Sequence, residues 1–302
     1  MYQNFEAIIE AVKQQPTKKT ICIANAASNK MLHLAHELQA QDICNMILVG
    51  DEAQIKAFAE KENVDLSKVK VIHATETEEI ARLAVTEVSA GRADVYVKGS
   101  MNTSDFLRSV LNKEVGLRTG SKLSVLTCYE VPGQKKLFFL TDGGMVVAPD
   151  LNDKAAIVTN AVNVLHNMGI AEPKVALLSS NEKVSEKIPS TVDAQALCRM
   201  ADVGKLPAAI YEGPIAFDVA MRPDAAKEKK IESRISGDVD LFLVPNIETG
   251  NCLGKAIGYF GGGDTAGLVI GARKPVVMSS RAASIRGKLA SIAWALLACG
   301  KN

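Results

Sequence analysis

The chain has 302 residues, of which 47% are hydrophobic and 23% are charged, and its formal net charge at pH 7 is +1. This length suits one large or two medium-sized domains, and the composition is that of an ordinary globular protein. A net charge so close to zero excludes a global field that would recruit nucleic acid or an anionic membrane surface, although a local basic pocket is compatible with it.

The N-terminal segment lacks the basic region and apolar core of a secretory signal, and no apolar run reaches the roughly 18 residues of a transmembrane helix. The six cysteines are scattered, with no Cys-x-x-Cys pair and no histidine at ligand spacing. We therefore expect free and mostly buried thiols, a reducing cytoplasm and no metal site.

Apolar strands alternate with amphipathic helices in the first third of the chain. The pattern predicts strands over residues 20–24, 43–49, 69–72 and 95–97, and helices over 5–13, 31–39, 53–62, 77–90 and 105–111. Such alternation favours a mostly parallel sheet with helices on its faces.

The pattern changes after residue 120. Apolar runs over 123–129 and 136–140 flank a turn centred on Pro132-Gly133, which predicts a β-hairpin. Beyond it we expect strands over 175–178, 208–211, 241–244, 268–270 and 275–278, and helices over 151–167, 192–201, 225–233 and 288–299. The pattern thus predicts two α/β halves, with the hairpin near their junction.

Two strand ends carry the strongest chemical signals. Residues 238–251, DVDLFLVPNIETGN, run from an apolar strand into a polar turn, and residues 274–284, KPVVMSSRAAS, end a second strand in Ser280-Arg281. Small polar groups and an arginine at strand ends predict an anion-binding site. The guanidinium fork of Arg281 suits phosphate oxygens. The alternative is a loop in which Ser280 or Ser284 caps the last helix and Arg281 is solvated.

In the first of these segments, Asn246 and Asn251 offer neutral hydrogen-bond donors. Gly250 allows close approach of the backbone to a ligand, or a positive φ. A helix that began in this segment would direct backbone N–H groups at an anion. The alternative is a helix cap and then a turn.

Two further segments carry cations. Lys98-Gly99 ends the strand over 95–97, where Lys98 would serve phosphate as a point charge. Thr103 would bind ligand, or Thr103 or Ser104 would cap the next helix. Arg118, in LRTGSKLS, lies just before the hairpin. Plain capping and solvation are the alternatives for these side chains.

These segments resemble the signature regions of the phosphate acyltransferases, most closely the phosphate butyryltransferase branch, and the resemblance extends over nearly the whole chain. That family interconverts acyl-CoA plus phosphate with acyl phosphate plus CoA. The resemblance implies two α/β domains with a cleft between them, in an isocitrate/isopropylmalate dehydrogenase-like fold. It implies a first domain of residues 1–137 completed by 273–302, and a second of 138–272. It also implies a homodimer that uses CoA as substrate and needs no further cofactor.

The resemblance also implies roles for individual residues. Ser280 and Arg281 would stabilise the transition state and bind phosphate or CoA. Substrate binding would fall to Lys98, Thr103, Arg118, Asn246, Gly250, Asn251 and Lys255.

The chain departs from the family directly after Arg281. The acetyl-transferring members carry an aspartate a few residues further on, which is the usual candidate for the base that accepts the thiol proton. Residues 282–287 of this chain, AASIRG, contain no carboxylate. Solvent, released phosphate or another residue must then accept the proton, and Glu248 is a weak candidate.

Two other classes of function are compatible with the sequence. A metal- and NAD-dependent dehydrogenase of the same fold needs clustered aspartates or histidines, and the sequence shows no such cluster. Alternatively, the missing carboxylate indicates a protein that binds acyl phosphate or CoA without turnover.

Overall fold

The computed structural model describes residues 2–278 and 284–299. The helices are α1 (Phe5–Lys13), α2 (Asn29–Ala40), α3 (Glu52–Glu62), α4 (Thr77–Ser89), α5 (Thr103–Val110), α6 (Leu151–Asn167), α7 (Pro189–Asp202), α8 (Phe217–Met221), α9 (Pro223–Glu228), α10 (Ile247–Phe260) and α11 (Ile285–Ala298). The strands are β1 (Thr20–Ala24), β2 (Asn45–Gly50), β3 (Lys70–His73), β4 (Val95–Lys98), β5 (Ser124–Glu130), β6 (Phe138–Thr141), β7 (Lys174–Leu178), β8 (Ile210–Ile215), β9 (Leu241–Leu243), β10 (Asp264–Ile270) and β11 (Val276–Val277).

The chain divides into two compact units. The terminal unit holds Tyr2–Ser121 and the described residues after Thr265, and the central unit is Lys122–Thr265. These bounds differ from the predicted domain limits at residues 137 and 273. Strand β5 belongs to the central unit because it pairs with β6, where Leu126 lies opposite Thr141. The end of β10 belongs to the terminal unit because Leu268 pairs with Val277 of β11.

In the terminal unit the strands lie in the order β3-β2-β1-β4-β11-β10. The first five are parallel, and β10 runs antiparallel to β11. Strand β11 lies beside β4, with Val276 opposite Tyr96. The C-terminal strand and helix therefore fold with the N-terminal residues.

Helix α11 is buried on nearly every side, and Trp294 at its centre has no exposed surface. It packs against α1 and α2 and against strands β4 and β11. A helix with so few polar residues needs such enclosure. Ser284 caps it, because its Oγ accepts from the backbone N–H of Gly287 at 2.9 Å. Ser280 and Arg281 lie outside the described residues.

In the central unit the strand order is β5-β6-β9-β7-β8. Strands β5 and β6 form the antiparallel hairpin that the sequence predicts, and β6, β9, β7 and β8 are parallel neighbours. Its core includes the stacked rings of Tyr129 and Phe138, with Phe242 packed edge-on against Phe138.

The turn predicted after β9 is wrong, whereas the alternative of a helix cap is confirmed at Asn246. Residues 247–251 form the first part of α10. The intrinsic helix propensity of this stretch is low because it contains Gly250, Gly254 and Gly258. The sequence therefore contains no clear signal for a helix. A side chain at Gly250 would collide with Gly143, and one at Gly254 with Tyr129, so tertiary packing outweighs propensity here.

The isocitrate dehydrogenase-like description of the fold stays a prediction, whereas the mixed α/β architecture is confirmed. Within residues 2–278 and 284–299, no helix has the length and apolar character to cross a membrane.

Candidate functional site

Strands β1 and β4 are parallel neighbours in the terminal unit, so their carboxyl ends lie side by side. The N–H of Gly99 donates to the carbonyl of Ala24 at 2.9 Å, and that of Ser100 to the carbonyl of Asn25 at 2.8 Å. A Cβ at position 99 would lie 2.2 Å from the Asn25 carbonyl oxygen, so only glycine fits. The Lys98-Gly99 pair therefore allows the chain to turn tightly at the end of the strand.

A cavity of about 440 Å³ opens beside this turn, within the terminal unit. Its polar lining includes Ser100, Asn102 and three lysines. Its apolar lining comes from α2, α11, the ends of β4 and β11, and Met101. A concave site at strand ends with a few convergent polar groups is typical of a ligand site in an α/β protein.

The three lysines come from three separate elements. Lys30 is the second residue of α2, Lys98 is the last residue of β4, and Lys288 lies in the first turn of α11. Lys30 is exposed, Lys98 is half-buried, and Lys288 is only 5% exposed. Three lysine side chains and two helix N-termini make this cavity suited to an anion such as phosphate.

The cavity lowers the pKa of Lys288. Burial lowers the pKa of Lys288 to about 8, and a hydrogen bond to Lys30 and the charges of Lys30 and Lys98 act in the same direction. Each effect disfavours the charged amine. The cavity therefore favours the neutral form of the Lys288 amine more than water does.

Of the binding residues predicted in the described part of the terminal unit, Lys98 lines this cavity and the others do not. Thr103 is the exposed first residue of α5, directly after the N-cap Asn102, so its predicted capping role is wrong. Arg118 is exposed in the segment between α5 and β5. Substrate binding by Thr103 and Arg118 stays a prediction.

In the central unit the predicted residues share α10. Asn246 is its N-cap, with Oδ1 accepting from the N–H of Thr249 at 2.9 Å. Asn251 and Lys255 are exposed one turn apart, and Nδ2 of Asn251 donates to the carbonyl of Gly143 at 3.3 Å. Gly250 is buried and its φ is not positive, and a Cβ there would lie 2.6 Å from Cα of Gly143. Glycine is thus required for packing against the backbone, and no left-handed conformation is involved.

A buried carboxylate holds the loop that α10 packs against. Asp142 accepts from the N–H groups of Gly144, Met145 and Val146 at 2.8, 3.0 and 3.0 Å. Burial raises the pKa of Asp142, and these hydrogen bonds oppose the rise. The sequence prediction missed the supporting role of this carboxylate.

The sequence prediction also missed Lys30 and Lys288. A signal existed for Lys288, since it is the only charged residue between positions 287 and 300, in an otherwise small or apolar stretch. Lysine is rarely buried unless it is paired, so a lone lysine in such a stretch is informative. Lys30 comes after an ordinary cap, Ser28, and nothing in the sequence distinguishes it.

Comparison with known proteins shows the class of protein. The family described as Phosphate acetyl/butaryl transferase matches residues 4–86 and 75–296. Phosphate butyryltransferase of Clostridium acetobutylicum is 39% identical over 302 residues, all of both chains. Phosphate acetyltransferase of Rhizobium meliloti is 37% identical over 294 residues, which is 97% of this chain and 93% of the relative.

A solved structure agrees with these relatives. The branched-chain phosphotransacylase from Enterococcus faecalis V583 superposes with a TM-score of 0.81 at 30% identity, covering 93% of this chain and 99% of that one. The chain belongs to the phosphate acetyl/butyryl transferase family.

Proposed function

We propose that this chain is a phosphate acyltransferase of the butyryltransferase type, which converts a short-chain acyl-CoA and phosphate to an acyl phosphate and CoA. The observation that carries this proposal is the full-length similarity to phosphate butyryltransferase. The lysine-lined cavity supports it, because both substrates bring phosphate groups that need cations.

The chemistry proceeds by direct acyl transfer in a ternary complex. Phosphate attacks the thioester carbonyl, negative charge develops on its oxygen, and CoA leaves. Ser280 donates to the developing oxyanion, and Arg281 and Arg118 hold phosphate. Lys98, Asn246 and Asn251 orient the substrates.

Acyl phosphate as product, a homodimeric state and a cytoplasmic location are parts of the same proposal. The six free thiols, of which Cys22, Cys44 and Cys128 are buried, support a reducing compartment. We further propose that CoA is the substrate and that no other cofactor takes part. Light scattering of the purified protein tests the dimer.

Thiol release from acyl-CoA, with and without phosphate, tests the activity. We expect release to depend on phosphate and to vary along a panel from acetyl-CoA to isovaleryl-CoA. Binding of CoA without phosphate-dependent release at every chain length would favour the non-catalytic alternative. Reduction of a nicotinamide cofactor would favour a dehydrogenase.

A further inference from the structure

On the basis of the proposed acyl transfer, we propose that Lys288 accepts the thiol proton of CoA when acyl phosphate is the acyl donor. Lys288 lines the cavity from the first turn of α11. It comes seven residues after Arg281 of the predicted Ser280-Arg281 pair and fills a chemical need, because residues 282–287 contain no carboxylate.

The contact between two amines within this cavity supports the assignment. Lys288 and Lys30 are close enough to share a hydrogen bond. A lysine ammonium is a donor only, so one of the two amines must be neutral to accept. Lys30 is exposed to water, whereas Lys288 is almost fully buried. Burial therefore selects Lys288 as the neutral amine.

The surroundings of Lys288 supply positive charge. Lys30 faces it from α2 and Lys98 from β4, and β11 contributes only the apolar Val277. On α1, which packs against α11, Glu6 pairs with Arg286 and Glu10 with Lys13. Among the described residues, no carboxylate forms an ion pair with Lys288.

The step balances as a proton transfer and then an acyl transfer. Neutral Nζ of Lys288 takes the S–H proton, and the resulting thiolate forms a bond to the acyl carbon. The bond from that carbon to the phosphate oxygen breaks, and phosphate leaves with the electron pair. Lys288 is then cationic opposite a phosphate dianion. In the reverse direction the Lys288 ammonium protonates the departing thiolate.

Replacement by arginine separates a base from a simple cation. Arginine keeps the positive charge but is never deprotonated in proteins. We expect Lys288→Arg and Lys288→Met both to lose about 10²–10⁴-fold in kcat for acyl-CoA formation from acyl phosphate and CoA. Lys56→Arg, on an exposed face of α3, is the matched control and keeps the wild-type rate. A Lys288→Arg rate close to that of the wild type would overturn the assignment.

The pH profile supplies a second readout. In the wild type, kcat/KM for CoA should rise with pH through a limb near 8, because the base must be neutral. Lys30→Met removes a neighbouring positive charge and should move that limb to higher pH. A limb that belongs to the CoA thiol would not move, and an unmoved limb contradicts the proposal.

The pH dependence of the free energy of unfolding reports the protonation of Lys288 independently of turnover. The pKa of Lys288 is lower in the folded than in the unfolded chain, so the unfolded chain binds more protons between about pH 8 and 10. The free energy of unfolding of the wild type should therefore rise with pH over this range relative to that of Lys288→Met. If the two curves of unfolding free energy against pH run parallel, Lys288 is not neutral in the folded protein.

Absence of wild-type turnover refutes the proposed function. Wild-type turnover matched by Lys288→Arg refutes only the base.

Discussion

Two glycines on one helix allow the packing of α10 to be tested with a matched pair of substitutions. Gly250→Ala places a methyl group 2.6 Å from Cα of Gly143 and 2.8 Å from Cγ2 of Val244. Gly258→Ala, two turns later, meets nothing closer than 3.8 Å. The same chemical change therefore enters one crowded and one open position.

The free energies can be estimated from these distances. An unhindered glycine-to-alanine change inside a helix stabilises by about 1 kcal/mol. Carbon atoms pack at about 3.5–4.0 Å, so the Gly250 variant must displace backbone by roughly 1 Å. Such overpacking costs about 1–3 kcal/mol. Because the helix-propensity gain is common to both variants, their difference in unfolding free energy equals the overpacking cost.

Urea denaturation of the wild type and both variants measures this difference. We expect Gly258→Ala to be at least as stable as the wild type and Gly250→Ala to be about 1–3 kcal/mol less stable than Gly258→Ala. Equal urea midpoints for the two variants would show that α10 does not lie against the 143–146 loop. They would then also contradict the contact of Asn251 with the carbonyl of Gly143.

Three further substitutions test other contacts. Asn246→Ala removes the α10 cap and should lower the free energy of unfolding in urea by about 1 kcal/mol, whereas Asn246→Asp keeps a capping oxygen and should not. Equal losses of stability in the two variants would refute the capping contact. Ser124 Oγ is buried without a hydrogen-bond partner among the described residues, so Ser124→Ala should melt no lower than wild type, and a clearly lower melting temperature would reveal a missing partner. A hydrogen bond from Arg92, together with Lys70, lowers the pKa of Glu87, which is buried. The stability that Glu87 contributes is therefore present above about pH 4.5 and lost as pH falls through the lower folded pKa, and Glu87→Gln should flatten this part of the acid profile.

The position of Lys98 at a strand end was predictable, because one segment contains both the turn and the side chain. Lys98 was found from sequence because Gly99 comes directly after a buried strand, and the structure explains the glycine by its contact with Asn25. The hairpin was also predictable, since Pro132-Gly133 separates two apolar runs that pair as β5 and β6.

The rest of the cavity depends on contacts between distant parts of the chain. Lys30 and Lys288 are 258 positions apart (288 − 30) and meet only because β11 lies beside β4 and carries α11 with it. Periodicity within a segment carries no information about such neighbours. Similarly, the glycines of α10 favoured a turn until their contacts with Gly143 and Tyr129 were known.

The most direct test of the acyltransferase account is phosphate-dependent thiol release from an acyl-CoA panel by wild type and Arg281→Ala, with the exposed Arg222→Ala as control. We expect the wild type and the control to release thiol only when phosphate is present. Arg281→Ala should lose about 10²–10³-fold in kcat with an unchanged urea midpoint, because the proposal assigns to Arg281 the cation that stabilises transition-state charge. Release by Arg281→Ala at the wild-type rate would contradict its role, and the absence of phosphate-dependent release by the wild type would contradict the account as a whole.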